Sequence, residues 1–467
     1  MPFDRRGGPA RDRAALLGLV SGATRAIALA FSCSLVTAAA LADWLTPDAR
    51  TREAELELSA AVRDTVGHAD DPARLDTLGV ALLRLARLPE AKTVLEHARA
   101  LSPRDPTALA GLGKLALFAD QLGAAESLLT GSLATERSSG ATADLYATRL
   151  RKRDWALAAA LATDAEDAGR LPLLQALGRR EALRIVSAPE LARVPWSRAY
   201  PVPLVRVKLN GESVLMALDT GARDLVLDPW AARRARVQTF PGQIQIFWCG
   251  TRVAAQPALV SRLELGGVRV ENLPASVTRL RRWSIQVNPQ AEPVAGVIGL
   301  GFLRRFTPTL DYAARVLELR PHGATLTAPG AQHVPFEIWG ESELTVYGSI
   351  GGGRRLALVV QSGLPECGIA GPPELFEEFG IKSGLSARAA SRAGSFLMGR
   401  PWTRVTTPTV SVGTVIANRV PGWSGALDAA ELWRHGVRRD AILAGGFFGR
   451  RRVTIDWEAR QLVFEER

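Results

Sequence analysis

The stretch Ser213-Val-Leu-Met-Ala-Leu218-Asp219-Thr220-Gly221-Ala222 decides the fold of this chain. Its apolar residues run without a charge into Asp-Thr-Gly-Ala, as in a buried strand that delivers a carboxylate at its end. Just before it lies Pro203-Leu-Val-Arg-Val-Lys-Leu-Asn210-Gly211, which is β-branched, alternates in polarity and ends in the dipeptide best suited to a two-residue hairpin turn. Downstream come Val297-Ile298-Gly299-Leu-Gly-Phe302-Leu303, then Thr309-Leu310-Asp311-Tyr312, then the apolar strand Val316-Leu-Glu-Leu319. The order then recurs. Leu356-Ala-Leu-Val-Val360 leads into Gln361-Ser362-Gly363, Ile442-Leu443-Ala444-Gly445-Gly446-Phe447-Phe448 follows, and Thr454-Ile455-Asp456-Trp457 closes the series. The two loops lie 142 residues apart and the two closing aspartates 145 apart, the mark of an internal duplication of roughly 140 residues. Ile369 stands eight residues after Gln361, as Leu227 does after Asp219, which aligns those two positions.

The order of hairpin, apolar strand, Asp-Thr-Gly-Ala loop, Ile298-Gly299 segment and Asp-Tyr turn resembles the aspartic proteases, both retropepsin-like bacterial ones and, with two lobes in one chain, pepsin-like ones. The resemblance covers residues from about 198 to 467. It implies an all-β bilobal domain in which Asp219 activates the attacking water, supported by Thr220, Gly221 and Ala222, with Ile298 and Gly299 threading beside the site. It also implies a flap, and the hairpin-like region Gln243–Ala255 fits one, with Trp248, Cys249 and Gly250 near its tip as water-excluding residues. No metal, nucleotide or other cofactor is implied.

Two positions depart from the family's pattern. Aspartic proteases use two carboxylates sharing a proton, because like charges that close cannot both ionise. The symmetry mate of Asp219 is Gln361, an amide that donates and accepts hydrogen bonds but carries no proton cycle. Ser362 and Gly363 complete that degenerate loop, with Thr220 and Ser362 fitting the hydroxyl pair that ties the two loops together. Ala444 replaces the residue matching Gly299, and its Cβ is expected to crowd the threading loop. Three readings stay open: a homodimer pairs Asp219 with Asp219 and hydrolyses peptide or protein substrates; Asp219 faces Gln361 in one chain, whose cleft holds extended peptides; or the loop is a relic and the amino-terminal half does the work.

That half reads as helical. Residues from about 54 to 171 are rich in Ala and Leu at spacings of three and four, with little β-branching. Aligning Pro72 with Pro106, 34 residues on and each preceded by Asp, places Leu75, Leu78, Gly79, Leu82, Ala91, Leu95, Ala98 and Pro103 at repeat positions, matched by Leu109, Leu112, Gly113, Ala116, Ala125 and Leu129 in the next unit. These residues resemble tetratricopeptide repeats. A third, shortened unit is expected over 141–162, with Trp155 packing its second helix. Such an array implies either a groove for a protein partner or a spacer packed on the next domain.

Composition narrows the rest. The chain has 467 residues and is too long for one core; 47% hydrophobic and 22% charged residues exclude a wholly disordered protein. Three cysteines exclude a disulfide scaffold, no zinc-type spacing occurs, and five histidines make histidine chemistry an unattractive starting point. The net charge of +11 is spread along the chain without interleaved aromatics, so nucleic acid is not an expected partner. Arg5, Arg6, Arg11 and Arg13 precede an apolar region, and the 17 residues from Ala26 to Ala42 lack charge and end in Ala40-Leu41-Ala42, the form of a cleaved export signal; a retained membrane anchor is the other reading of this short stretch. Export to a periplasm would leave Cys249 and Cys367, which one disulfide could join. The expected architecture is therefore multidomain: signal or anchor over 1–42, an all-α tetratricopeptide-like solenoid over 43–190, and two β lobes over 191–325 and 326–467.

Overall fold

The computed structural model describes residues 47–466 apart from 199–201, 249–250, 290, 324–329, 383–395 and 398–399. Eight helices come first: α1 (Pro47–Thr65), α2 (Pro72–Arg84), α3 (Leu88–Leu101), α4 (Pro106–Phe118), α5 (Leu122–Thr135), α6 (Ser139–Lys152), α7 (Trp155–Leu161) and α8 (Leu171–Gly178). The paired prolines mark the first turns of α2 and α4, where a missing N–H costs nothing. The aspartate before each proline is the N-cap: Asp71 accepts from Ala73 N at 3.0 Å, and Asp105 accepts from Thr107 N at 2.8 Å. Small residues sit where the paired helices cross. A Cβ on Gly79 would lie 2.5 Å from Leu95 Cδ2, and one on Gly113 would lie 2.6 Å from Leu129 Cγ. The stretch expected to form a third unit is helical, with α6 followed by the seven-residue α7, and Trp155 stands at the head of that short helix.

The β-rich part begins at strand Arg184–Ser187, slightly ahead of the boundary expected at residue 191, because this strand pairs with Val268–Val277 of the first lobe. The hairpin Leu204–Leu209/Glu212–Leu218 turns at Asn210 and Gly211, both with positive φ (50° and 95°). Glu212–Leu218 pairs in parallel with Val294–Ile298, which pairs antiparallel with Leu225–Leu227, which pairs in parallel with Val268–Val277. The second lobe has the same succession. Leu356–Gln361 pairs in parallel with Ala441–Ala444, which pairs antiparallel with Ile369–Gly371, which pairs in parallel with Val415–Ser424. The halves join where Thr307–Asp311 meets Arg452–Asp456, with Thr309 opposite Thr454 and their hydroxyls 2.8 Å apart. Asp311 and Asp456 cap the turns that follow, accepting from Ala314 N at 2.7 Å and from Ala459 N at 2.9 Å.

Register corrects one alignment. Ile369 sits opposite Leu443, the place that Leu225 rather than Leu227 holds against Ile298, so the second loop is two residues longer than the first. The expected crowding at Ala444 is absent for a related reason. In the first lobe a Cβ on Gly299 would lie 2.5 Å from Ala222 O. In the second, Ala444 N donates to Gly368 O at 2.9 Å, and Gly368, which stands where the first lobe has Asp224, is now the residue without room: its Cβ would lie 2.7 Å from Phe447 N. The glycine has changed sides.

The helical array packs on both lobes. Phe118 stacks on the buried Trp339 with centroids 5.0 Å apart, inside an apolar cluster that also takes in Leu117, Ala357 and Val437. Arg151, its side chain 2% exposed, pairs with Asp120 and donates to Leu117 O and Ile338 O. No helix of the described residues is long and apolar enough to cross a membrane, and the Ala26–Ala42 segment lies outside them.

Candidate active site

Asp219 stands at the end of strand Glu212–Leu218, where its N–H donates to Ile298 O at 3.1 Å. The next residue begins a reciprocal set of bonds with the second loop. Thr220 N donates to Ser362 Oγ at 3.0 Å and Ser362 N to Thr220 Oγ1 at 3.0 Å; Thr220 Oγ1 donates to Val360 O at 3.0 Å and Ser362 Oγ to Leu218 O at 3.1 Å. These four bonds, buried between the lobes, fix the two loops face to face. The residue after each hydroxyl is a glycine because the opposite side chain lies on it: a Cβ on Gly221 would lie 2.6 Å from Gln361 Cγ, and one on Gly363 would lie 2.5 Å from Asp219 Oδ2. Asp219 and Gln361 therefore oppose one another in a single chain.

The carboxylate is held by both loops. Asp219 Oδ1 accepts from Gly221 N at 2.8 Å and from Gly363 N at 3.1 Å. Burial pushes its pKa above the ordinary value, and these two N–H donors work against that rise without cancelling it. Beneath the loops Tyr312 packs between Trp196 and Phe448, and burial with the nearby Asp219 charge keeps its phenol protonated. Ala222 O accepts from Leu300 N at 2.8 Å, so the segment after Gly299 braces the Asp219 loop.

The loops form the floor of a cavity of about 840 Å³. Over it lies the hairpin Ile244–Trp248/Thr251–Leu265, in the region expected to be a flap; Cys249 and Gly250 lie outside the described residues. Trp248 lines the cavity together with Asp219 and packs edge-on against Trp283, with ring centroids 5.2 Å apart. Phe247 instead reaches the second lobe's apolar cluster, and Arg252 pairs with Glu431 at 3.1 Å, so the hairpin spans both lobes. Cys367 is a buried free thiol, not half of a disulfide.

The far wall is the helical array, which sequence reading did not place at the site. Thr107, Gly111 and Lys114 of α4 and Ala143, Asp144 and Ala147 of α6 line the same cavity as Asp219. Lys114 Nζ bonds Asp144 at 2.8 Å and His435 O at 2.9 Å, tying the array to the second lobe. His435 lies 3.1 Å from Glu343, which also pairs with Arg434 and Arg439; burial works to raise the Glu343 carboxyl, but Arg439, the His435 contact and Arg434 outweigh it and hold the group well below its usual range. On the other side Glu341 bridges Arg223, next to the Asp219 loop, and Arg170 of the array. None of these pairings leaves a local signal, since their members lie far apart in sequence.

Among the described residues no group of three His, Cys, Asp or Glu has the geometry to hold a metal ion. Compared with the curated proteins, the chain has no match. The family model described as aspartyl protease matches residues 205–302, which span the Asp219 loop, the hairpin above it and the segment through Gly299. Over that part the chain is similar to an aspartyl protease domain, and its coarse chemical class is that of a peptidase-like enzyme.

Proposed function

We propose that this protein is a single-chain aspartic peptidase-like hydrolase that takes an extended polypeptide between its two β lobes and its helical array. The observation that carries the reading is the fixed opposition of Asp219 and Gln361 on the floor of the cavity. Ionised Asp219 accepts a proton from water, whose oxygen attacks the peptide carbonyl carbon. The Gln361 amide donates a hydrogen bond to the carbonyl oxygen as it gains charge. The proton held on Asp219 then passes to the leaving nitrogen as the C–N bond breaks. An amide stabilises the oxyanion by hydrogen bonding alone, where a second carboxyl would transfer a proton, so turnover is slow relative to a two-carboxylate site, by about 10²-fold or more.

Homodimeric pairing of Asp219 with Asp219 has little room here. The place of a second chain's loop is taken by Gln361-Ser362-Gly363, and four buried hydrogen bonds would have to break. The second reading, an exported scaffold that binds peptides without cleaving them, is favoured by Gln361 itself, because the cleft keeps its strand-binding geometry when the chemistry is lost. Tetratricopeptide identity for the array and export through the Ala26–Ala42 segment belong to the same proposal.

Full-length protein, Asp219→Asn and Gln361→Asp are incubated with a peptide library between about pH 3 and pH 7, a range that brackets a carboxylate pair. Cleavage should be weak in the parent, absent in Asp219→Asn and raised about 10²-fold in Gln361→Asp. Peptides retained by all three proteins and cut by none would leave the scaffold; equal cleavage by parent and Asp219→Asn would remove the peptidase.

A further inference from the structure

A second cavity, of about 490 Å³, lies behind the Asp219 loop, between α6–α8 of the array and the two lobes. Its apolar wall comes from Leu150, Leu174 and Leu177 of the array and from Leu300 and Trp457 of the β part. Six arginines surround it: Arg151, Arg153, Arg170, Arg223, Arg304 and Arg305. Four are partnered, Arg151 and Arg304 sharing Asp120, and Arg170 and Arg223 sharing Glu341. Among the described residues Arg153 and Arg305 lie within ion-pair distance of no carboxylate. Arg305 Nε donates to Leu183 O at 3.1 Å. Burial first, and the Arg153 charge second, make the Arg305 cation less favourable than usual, with Glu181 offsetting this only in part; an incoming anion relieves the repulsion between the two arginines.

Hydrocarbon wall and unpaired cations in one cavity define a ligand chemistry. The wall favours an alkyl chain at about 25 cal/mol per Å² removed from water. The planar guanidinium forks favour an oxyanion bound through two donors. We propose that this cavity binds an anionic amphiphile: one alkyl chain against Leu150, Leu174 and Leu300, with its carboxylate or phosphate head between Arg153 and Arg305. Arg223 and Glu341 line both this cavity and the Asp219 cleft, so the ligand lies one ion pair from the catalytic loop. The site does not depend on the cleft having peptidase activity.

Isothermal titration calorimetry of the full chain tests it, with dodecanoate, dodecyl phosphate, dodecanol and acetate as separate probes. One equivalent of dodecanoate or dodecyl phosphate should bind, the tighter of the two identifying the head group, with dodecanol and acetate each weaker by about tenfold or more. The double variant Arg153→Ala/Arg305→Gln should lose about tenfold for the anion and nothing for dodecanol. Its thermal melt reports whether the fold survives; should it not, Arg153→Glu, a change at an exposed residue, gives the same readout. No binding of either dodecyl anion, equal binding of dodecanol, or equal binding by the arginine variant overturns the proposal.

Discussion

Asp219 shows what a single residue gains and loses by its setting. Its folded pKa lies above the ordinary 3.8, so below that pH both folded and unfolded chains carry a proton there and no penalty applies. As pH rises the unfolded chain ionises first, and the folded protein loses stability until Asp219 itself ionises. Asp219→Asn keeps an acceptor for Gly221 N and Gly363 N and should therefore melt a few degrees higher than the parent at neutral pH, with the gap closing near pH 3. Melts that differ equally at both pH values would contradict the burial account. Asp219 and its Thr-Gly were legible in the sequence because a strand and its turn are local features. The pairing with Gln361 was also readable, through the spacing of the two copies. The loop length was not. Counting eight residues on each side misplaced Ile369 by two, since register against Leu443 fixes it and no count along the chain reports register.

At the scale of elements, the two halves share strand pairings while differing in where a close approach is made. Gly299→Ala drives a Cβ into Ala222 O, a backbone atom with no freedom to yield, and should lower stability by about 2–4 kcal/mol in urea titration. Ala444→Gly, at the matching position, should cost below about 1 kcal/mol. Equal effects would mean that Gly368 does not serve as the compensating glycine. In the array, Asp76 is buried beside Asp105, the cap of α4. Burial, then Asp105, raise its pKa to about 7, so it destabilises the array progressively from the ordinary carboxylate range up to neutrality. Asp76→Asn should stabilise by about 2 kcal/mol at pH 8 and by nothing at pH 3.5, followed by the helical circular-dichroism signal. The prolines and small residues of these helices were plain in the sequence; the capping by Asp71 and Asp105 explains why an aspartate precedes each proline.

For the whole molecule, the array is a wall of the cleft and not a separate module. Trp339 is fully buried against Phe118, so array and lobes should unfold in one calorimetric transition. Trp339→Ala should lose about 3–5 kcal/mol and separate the helical transition from the β one. Two resolved transitions in the parent would show that the contact carries little energy. The sequence could not reveal this arrangement, because Lys114 and His435, or Arg170 and Glu341, are brought together only by packing. One such contact has a further consequence. Gly169, just before α8, touches the backbone of Gly242 and Gln243 at the base of the hairpin, leaving no space there even for a methyl group. The base is thereby anchored, and Phe247 and Arg252, which face each other one pair from the tip, hold that end to the other lobe, so that the span is tied down at both ends. On the peptidase reading proposed above, a polypeptide would be fed in lengthwise, as thread through a needle, which selects loose ends over loops on folded surfaces. A linear peptide should accordingly bind far better than the same sequence closed head to tail.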